Sequence, residues 1–342
     1  MNFDDKTFWK GRNVLLTGVN GFIGGNLAKA LILNHANVFG IVRSYKPNTF
    51  LEYENLSNRV TLMQGDLCNK NFIEQIISEE EIEFIFHLAA QVEVGIGAIN
   101  PFITFETNVR GTYTLLEAAR QFPDKIKSIV VASTDKAYGS YPTEKMPYKE
   151  DYPLLPQYPY DTSKAVADLI AQSYASDLYK LPIVVTRFCN IYGPGQLNFS
   201  AIIPDAITSA QGYSTFVPRG NGTQVRDFIY IEDVVSLYLM ISKHLENNKN
   251  IIGEIYNAGS NSPISVKALV KKIFLKLNKE KDLGPIIEAM KGRTTSGEID
   301  TQFMDFEKVN ERFGWKPRVS LGEGLDKTIE WFDAYNRLRF LD

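Results

Sequence analysis

The stretch Asn13-Val-Leu-Leu-Thr-Gly-Val-Asn-Gly-Phe-Ile-Gly24 decides the fold. It opens as a short apolar run, typical of a buried strand, and passes through spaced glycines into a pattern with helical periodicity. Glycines at such a junction allow a tight turn and close approach of a ligand, and the free N–H groups of the helix favour an anion. We therefore expect a βα unit that binds a pyrophosphate, the alternative being a tight turn without a ligand. The residues expected to contact the pyrophosphate are Gly18, Gly21, Phe22, Ile23 and Gly24.

Strand-like and helix-like segments alternate through the first half of the chain. After the opening unit, apolar runs at 38–42, 60–64, 84–88, 128–132 and 183–187 are separated by helical patterns near 71–79, 103–121 and 160–178. Such alternation indicates a parallel sheet with helices on both faces. The sequence therefore predicts an α/β fold with a Rossmann-type, doubly wound parallel sheet.

The regular pattern loosens after about residue 190, where stretches rich in Gly, Pro, Asn and Ser appear. Loops that follow a regular scaffold often build a substrate pocket. We expect a dinucleotide-binding domain at 1–189, rejoined by about 225–260, and a smaller, loop-rich C-terminal substrate domain at 190–224 and 261–342. The apolar segment from Asp227 to Ile231 is expected to rejoin the sheet.

Charge composition argues against nucleic acid and membrane partners. The 342 residues include 37 Lys plus Arg and 40 Asp plus Glu, a formal net charge of -3, so no global positive field gathers polyanions. No stretch of 18 uncharged residues occurs that would predict a membrane span.

The cysteines and histidines predict neither a metal site nor a disulfide framework. Cys68 and Cys189 lie far apart, and His35, His87 and His244 are scattered, so no metal-ligand spacing occurs. The reducing cytoplasm is the expected compartment.

The ends of the second, third and fourth strands hold further candidate cofactor contacts. Arg43 stands where the NAD version of this unit places a carboxylate, and its guanidinium suits a 2'-phosphate, which favours NADP over NAD. The alternative is an exposed arginine at a strand end. Asp66 and Leu67 are placed to hold an adenine edge, although the pair also suits an ordinary turn. The small residues of Leu88-Ala89-Ala90 would let a cofactor lie against the backbone.

The strongest chemical signal is Tyr160-Asp-Thr-Ser-Lys164, preceded by Ser133-Thr134 at the end of the fifth strand. Tyr160 and Lys164 share one helix face at spacing i, i+4, so the ammonium is expected to lower the pKa of the phenol. The phenolate would accept a proton from a sugar hydroxyl, and Thr134 would hydrogen-bond the same oxygen. Both Tyr160 and Lys164 are also expected to contact the cofactor.

With these motifs, the chain resembles the extended short-chain dehydrogenase/reductase family, which includes nucleotide-sugar epimerases and dehydratases. The resemblance covers nearly the whole length. The matching stretches are TGVNGFIGG, HLAAQ, ETNVRGTYTLLEAAR, STDKAYG, YPYDTSKAVADL, RFCNIYGPG, QVRDFIYIEDV, YNAGS and ERFGWKP. It implies a tightly retained nicotinamide cofactor, because the reduced form is an intermediate of the cycle. It also implies a homodimer, paired through the helix that carries Tyr160 and Lys164.

The pair after Thr134 separates reactions within this family. Asp135-Lys136 resembles the pair in CDP-glucose 4,6-dehydratase-like members, whereas simple epimerases carry small or neutral residues there. This implies a 4,6-dehydratase in which protonated Asp135 is the acid. Position favours Lys136 as the base at C5; alternatively, Tyr160 serves both base roles while Lys136 stabilises the enolate. Arg43 is closer to the GDP-mannose dehydratases, which use NADP, whereas the CDP-glucose type is expected to use NAD.

A nucleotide-diphosphate sugar is the expected substrate, and its pyrophosphate needs cations and amide donors. The candidate substrate contacts are Asn190, Asn198, Arg226 and Arg293. Two other functions stay open. One is a 4-epimerase or another sugar-modifying oxidoreductase of this family, and the other is a non-catalytic dinucleotide-binding regulator.

Overall fold

The computed structural model describes residues 6–293 and 299–340. The strands in this part of the chain are β1 Asn13–Thr17, β2 Asn37–Val42, β3 Val60–Gln64, β4 Phe84–His87, β5 Ser128–Thr134, β6 Ile183–Phe188, β7 Asn190–Tyr192, β8 Val225–Arg226, β9 Phe228–Tyr230, β10 Ile255–Ala258, β11 Ile264–Ser265 and β12 Thr301–Gln302. The α-helices are α1 Lys6–Trp9, α2 Phe22–Leu33, α3 Phe50–Tyr53, α4 Lys70–Glu79, α5 Val94–Ile99, α6 Pro101–Phe105, α7 Gly111–Arg120, α8 Pro159–Ala175, α9 Ile202–Ala210, α10 Ile231–Asn247, α11 Val266–Lys276, α12 Leu283–Met290, α13 Glu307–Phe313 and α14 Leu321–Phe340. Short 3-10 helices lie at Ser57–Arg59, Asp135–Tyr138, Thr143–Lys145, Lys249–Ile251 and Glu280–Asp282, and a π-helical segment lies at Glu106–Arg110.

Seven strands form the main sheet in the order β10-β6-β5-β4-β1-β2-β3. Every neighbouring pair in it is parallel, and Leu16 at its centre lies between Gly40 and Phe86. The chain runs outward from β1 to β3 and then returns beside β1 to form β4. Ligands bind at the carboxyl ends of strands where the order reverses in this way. The predicted doubly wound α/β fold is confirmed, and the glycine turn lies at the reversal point.

The two faces of the sheet bury separate cores because successive residues of a strand point to opposite sides. Val14 and Leu16 of β1 pack in one core with Leu27 of α2. Leu15 packs in the other with Leu115 of α7. Both faces are therefore covered by helices, and the strands read as continuous apolar runs.

The return to the sheet after residue 190 differs from the prediction. β9 pairs with β7 in a separate two-stranded sheet, so the expectation that the segment from Asp227 to Ile231 rejoins the main sheet is wrong. β10 rejoins it instead, with Ile255 opposite Val185 of β6. A parallel neighbour needs a long crossover, and the connection from β6 to its parallel neighbour β10 includes α10.

The predicted helix at 103–121 is built from three consecutive segments. α6 leads into the π-helical segment, which leads directly into α7. The widened turn in the middle places Asn108 in a buried position. Within the described residues, no helix combines the length and the apolar character needed to cross a membrane.

Candidate active site

The glycine turn forms a cradle at the carboxyl end of β1. Gly18 has a φ of +75°, and a Cβ there would lie 2.9 Å from the backbone nitrogen of Ala89. A Cβ on Gly24 would collide with the carbonyl oxygen of Gly18. Gly21 is the N-cap residue of α2 and has no side chain with which to cap the helix. Phe22 and Ile23 open the helix, so their N–H groups face the cradle. The close backbone and the uncapped helix end fit the pyrophosphate of a dinucleotide.

The other predicted cofactor contacts lie at the same edge of the sheet. Arg43 follows β2 directly and is exposed, and Asp66 is exposed just beyond β3, where its Oδ1 accepts the N–H of Cys68 at 2.9 Å. Leu67 is buried in the core beneath. The stretch 88–90 follows β4 and is half-buried beside Gly18. The fold thus brings these segments together, and their contacts with a cofactor remain a prediction.

The end of β5 carries a tight 3-10 turn that orders Thr134, Asp135 and Lys136. The Thr134 Oγ1 caps the turn by accepting the Lys136 N–H at 3.3 Å, and it donates to Asp135 Oδ1 at 3.0 Å. Thr134 and Lys136 are half-buried, whereas Asp135 is buried. The three predicted residues therefore share one short segment at the carboxyl edge of the sheet.

Asp135 has the environment that a carboxylic acid needs to keep its proton. Burial raises its pKa, and the Lys136 ammonium, the Thr134 hydroxyl and Arg226 oppose this only in part. Its second oxygen, Oδ2, is buried and has no hydrogen-bond partner among the described residues. A buried polar atom without a partner calls for an explanation, and a proton-donating role is one.

Tyr160 lies at the start of α8 in the same pocket. Its pKa is raised, chiefly by burial and then by the carboxylates of Asp135 and Asp161, while a hydrogen bond with Thr134 opposes the shift. The sequence predicted a lowering by Lys164, and that prediction is wrong for the structure as described. The Lys164 Nζ donates to the carbonyl oxygen of Ala132 at 2.5 Å, so its charge is directed at β5.

Lys164 is itself buried, one helical turn after Tyr160. Burial lowers its pKa to about 8, and the nearby Asp168 carboxylate opposes this. A lysine in this range exchanges its proton readily near neutral pH. The pair Tyr160 and Lys164 thus stands as predicted on one helix, but each group is perturbed mainly by its own burial.

The site includes a polar link that sequence reasoning missed. Asn108 Nδ2 donates to Ser163 Oγ at 2.8 Å and to the Gln91 carbonyl at 3.0 Å. The Ser163 Oγ donates to the carbonyl of Tyr160 at 2.7 Å. Asn108 therefore ties the end of β4 to the first turn of α8. The available signal was an asparagine, a poor former of helix interiors, within an otherwise strong helical pattern.

The predicted substrate contacts fall into two groups. Arg226 is buried on β8 close enough to Asp135 to influence its pKa, and Asn190 donates to the carbonyl of Asp227 at 3.2 Å. Arg293 and Asn198 are instead exposed. Arg293 Nη1 donates to the Pro218 carbonyl at 2.5 Å. Asn198 Oδ1 accepts from the N–H and Oγ of Ser200.

One exposed arginine near these residues was not predicted from the sequence. Arg219, beside Pro218, donates to the carbonyl of Ser200 at 2.6 Å and so joins the segments that carry Arg293 and Asn198. The sequence signal was a second arginine in a loop rich in Gly and Asn. These linked, exposed segments therefore carry the guanidinium groups of Arg219 and Arg293 and the amide of Asn198.

This combination of sheet, glycine cradle and tyrosine–lysine helix defines the extended class of short-chain dehydrogenases/reductases that act on nucleotide sugars. The sequence model of GDP-mannose 4,6 dehydratase matches residues 15–328. The chain belongs to this family.

Curated relatives match the chain over nearly its full length. The human dTDP-D-glucose 4,6-dehydratase is 33% identical over 330 residues, covering 94% of this chain and 90% of the relative. The dTDP-glucose 4,6-dehydratase of Haemophilus influenzae is 30% identical, covering 94% of this chain and 97% of the relative. The predicted family and class of enzyme, a nucleotide-sugar 4,6-dehydratase, are confirmed.

Solved structures agree with this fold. dTDP-glucose 4,6-dehydratase from Bacillus anthracis in complex with NAD superposes with a TM-score of 0.80 at 28% identity, covering 96% of this chain and 98% of that one. UDP-glucose 4-epimerase from Thermotoga maritima with UDP-glucose reaches a TM-score of 0.78 at 28% identity, covering 95% and 99%. Dehydratases and epimerases thus share this architecture, and the residues of the site must separate them.

Proposed function

We propose that this protein converts a nucleoside-diphosphate hexose into the 4-keto-6-deoxy sugar, with Asp135 as the acid that releases the 6-hydroxyl as water. The observation that carries the proposal is the buried Asp135 carboxyl, which has a raised pKa and an Oδ2 with no hydrogen-bond partner among the described residues, and which is near enough to raise the pKa of Tyr160. A 4-epimerase needs no proton donor at C6. A buried acid at this position therefore favours the dehydratase.

The first step is oxidation at C4, in which Tyr160 acts as the base. In its phenolate form, Tyr160 takes the proton of the 4-hydroxyl, and Thr134 hydrogen-bonds the same phenol oxygen. When Asp135 keeps its proton, the carboxylate that raises the pKa of Tyr160 is neutralised, and the phenol ionises more readily. The protonated Asp135 that the elimination needs therefore also favours the phenolate form of Tyr160 that the oxidation needs.

The second step is elimination across C5 and C6. The 4-ketone acidifies the C5 proton, a base removes it, and Asp135 protonates the departing 6-hydroxyl, so that one water leaves. Lys136 follows Asp135 in the same turn and, as the neutral amine, is our first choice for the base; Tyr160, once it has released the O4 proton to solvent, is the alternative. The base then returns its proton to C5, and the net change is oxidation at C4, reduction at C6 and loss of water.

When bound, a nicotinamide dinucleotide supplies the hydride acceptor for C4 and the hydride donor for C6. The residues that would hold it are the glycine cradle, Asp66, Leu67 and the stretch 88–90. Arg43 is exposed at the end of β2, where a 2'-phosphate would lie, and we propose that it favours NADP. The Bacillus anthracis relative was solved with NAD, so this preference would distinguish the present chain.

We propose that Arg226 and Asn190 line the inner part of the substrate site, and that Arg293 and Asn198 hold the diphosphate at the rim. The buried Arg226 is close to Asp135, and the exposed residues leave a guanidinium accessible to phosphate oxygens. The free thiols of Cys68 and Cys189 are consistent with our placement of the protein in the cytoplasm.

We also propose a homodimer built on the helices beside the site. Ile99, Phe102, Tyr113 and Leu169, on α5 to α8, are 88%, 71%, 42% and 54% exposed. These helices pack against one another, and we propose that the four exposed side chains form one apolar face. Contiguous apolar surface of this kind marks an interface. Within α8, Leu169 is exposed and available for pairing, whereas Ala165 is buried.

Mass spectrometry of products from a panel of CDP-, dTDP-, UDP- and GDP-hexoses tests the proposed reaction. A dehydratase gives a product lighter by one water, with no net consumption of added cofactor. A 4-epimerase gives a product of unchanged mass that separates from the substrate by chromatography. Tyr160→Phe is the control, since it removes the base of the first step and should abolish both products.

A further inference from the structure

A buried ion pair joins β6 to α8 behind the catalytic turn. Arg187 Nε donates to Asp168 Oδ2 at 2.8 Å, and Nη2 donates to Oδ1 at 3.1 Å. The side chains are 2% and 0% exposed. Withdrawing two charges from water costs about as much as their attraction returns, so such a pair is weak evidence for stability alone. Its other contacts indicate what it does.

Arg187 reaches the catalytic turn through Tyr138. Its Nη1 donates to the Tyr138 hydroxyl at 2.7 Å, and its guanidinium carbon lies 4.7 Å from the centroid of the tyrosine ring. Tyr138 is the last residue of the 3-10 helix that begins at Asp135. The guanidinium therefore holds the far end of the short segment that carries the proposed acid.

Tyr138 is also fixed from its other sides. Its hydroxyl donates to Asn257 Oδ1 at 2.9 Å, and its ring stacks on Tyr148 with the centroids 4.9 Å apart. Tyr148 in turn donates to the carbonyl of Gly139 at 2.5 Å. The turn is thus clamped by β6, β10 and the segment around Tyr148.

Asp168 connects the same ion pair to the catalytic helix. It lies four residues after Lys164, one turn along the same face of α8. Its charge favours the protonated form of Lys164 and opposes the effect of burial. Arg187 and Asp168 therefore act on both segments of the site from behind.

We propose that Asp168 and Arg187 are positioning residues whose ion pair holds the turn of Asp135 against the helix of Tyr160 and Lys164. The proton donor of the elimination and the base of the oxidation then face one sugar. This inference rests on the proposed function for the roles of Asp135 and Tyr160. Positioning through a rigid, satisfied network is the general requirement for such a site.

Asp168→Asn tests the link to the helix. We expect kcat to fall about a hundredfold with KM for the nucleotide sugar changed less than about twofold. The alkaline limb of the kcat profile should move to lower pH, because Lys164 loses the carboxylate that holds its proton. Arg187→Lys keeps the buried positive charge but not the forked contacts, so it should lower kcat and leave that limb near its original pH.

Tyr138→Phe tests the link to the turn. It removes the hydroxyl between Arg187 and Asn257 and leaves α8 untouched. We expect C4 oxidation to persist while elimination slows, so that reduced cofactor builds up during turnover. Elimination at the wild-type rate in this variant contradicts the proposal.

Glu83→Gln is the matched control. It breaks the 2.5 Å ion pair with Arg12, which lies beside the starts of β1 and β4, at the opposite edge of the sheet from the site. We expect this variant to lose stability while kcat and its pH limbs stay unchanged. If Asp168→Asn behaves in the same way, the Asp168–Arg187 pair is merely structural.

A single substitution leaves one buried, unpaired charge and can prevent folding. The double variant Asp168→Leu with Arg187→Met avoids this because it removes both charges together. Crystal structures of wild type and this double variant should show the turn at 135–138 displaced relative to α8. A turn that is not displaced in the double variant overturns the proposal, whatever its kcat. The structural comparison needs no substrate, so it still decides the positioning role if wild type dehydrates no nucleotide sugar and the proposed function fails.

Discussion

The Nδ1 atom of His87 lies 2.8 Å from the Oγ1 atom of Thr17, directly beneath the glycine cradle. That oxygen already accepts the backbone N–H groups of residues 88 and 89 at 3.1 Å each. Thr17 therefore donates its hydroxyl proton to Nδ1, and His87 donates Nε2–H to the Thr112 Oγ1 at 2.8 Å. Thr112 donates onward to the carbonyl of Asn108 at 2.6 Å. Because Nδ1 accepts a hydrogen bond while Nε2 donates one, the His87 imidazole must be neutral.

This neutrality predicts a pH dependence of stability. Burial, and then the charge of Lys164, lowers the pKa of His87 to about 3. Between this pKa and the ordinary histidine value of about 6.5, His87 is protonated in the unfolded state and neutral in the folded state. The stability that the neutral His87 contributes above about pH 6.5 is therefore lost as the pH falls toward 3. We expect the free energy of unfolding of wild type to drop between pH 6.5 and 4 by about 3 kcal/mol more than that of His87→Asn.

Urea unfolding of both proteins across this range measures the difference. The carboxylates are common to the two proteins, so their titration cancels in the comparison. Parallel curves would show that His87 keeps an ordinary pKa in the folded state.

The oxidation and elimination steps should be separable. Asp135→Asn with Lys136→Ala removes the proposed acid and the favoured base but leaves Tyr160 and Lys164 in place. Reduced cofactor should then accumulate and be visible by its near-ultraviolet absorbance. Tyr160→Phe should show none, because O4 keeps its proton. A dehydrated sugar released at the parent rate by the double variant would refute the roles of Asp135 and Lys136 and favour the epimerase.

Cofactor selectivity should depend on Arg43. Arg43→Ala removes a guanidinium from the end of β2, and we expect the ratio of NADP to NAD affinity to fall about tenfold, the loss of one charge-assisted contact. Lys46→Ala removes another exposed cation from the same loop and should leave the ratio unchanged. Fluorescence titration with both cofactors measures it. If Arg43→Ala and Lys46→Ala give the wild-type ratio, NAD becomes the assignment.

The apolar face of Ile99, Phe102, Tyr113 and Leu169 should be covered in solution. Light scattering of wild type should give twice the mass of one chain, and Leu169→Lys should give a single chain because a lysine cannot be buried there without a partner. Leu275→Lys alters an exposed leucine on the distant α11 and should stay dimeric. If the wild-type protein has the mass of a single chain at every concentration, the proposed dimer is wrong.

Local patterns were enough to predict much of the fold. The apolar runs, the glycine turn and the spacing of Tyr160 and Lys164 all express short-range periodicity, so the sheet and the catalytic helix followed from the sequence. The prediction that the segment around Asp227 rejoins the main sheet was wrong, because an apolar run carries no information about which sheet it joins. In the structure, the strand that follows α10 joins the main sheet instead.

Residue types and their spacing in the sequence determined the chemistry this protein carries: a phosphate cradle, a phenol, an ammonium and an adjacent carboxyl. Tertiary structure alone decided their protonation and alignment. Burial raises the pKa of Asp135, the Lys164 ammonium donates to the carbonyl of Ala132, and Arg187 of β6 pairs with Asp168 of α8. Desolvation and charge pairing depend on groups distant in sequence, and only the folded chain brings those groups together.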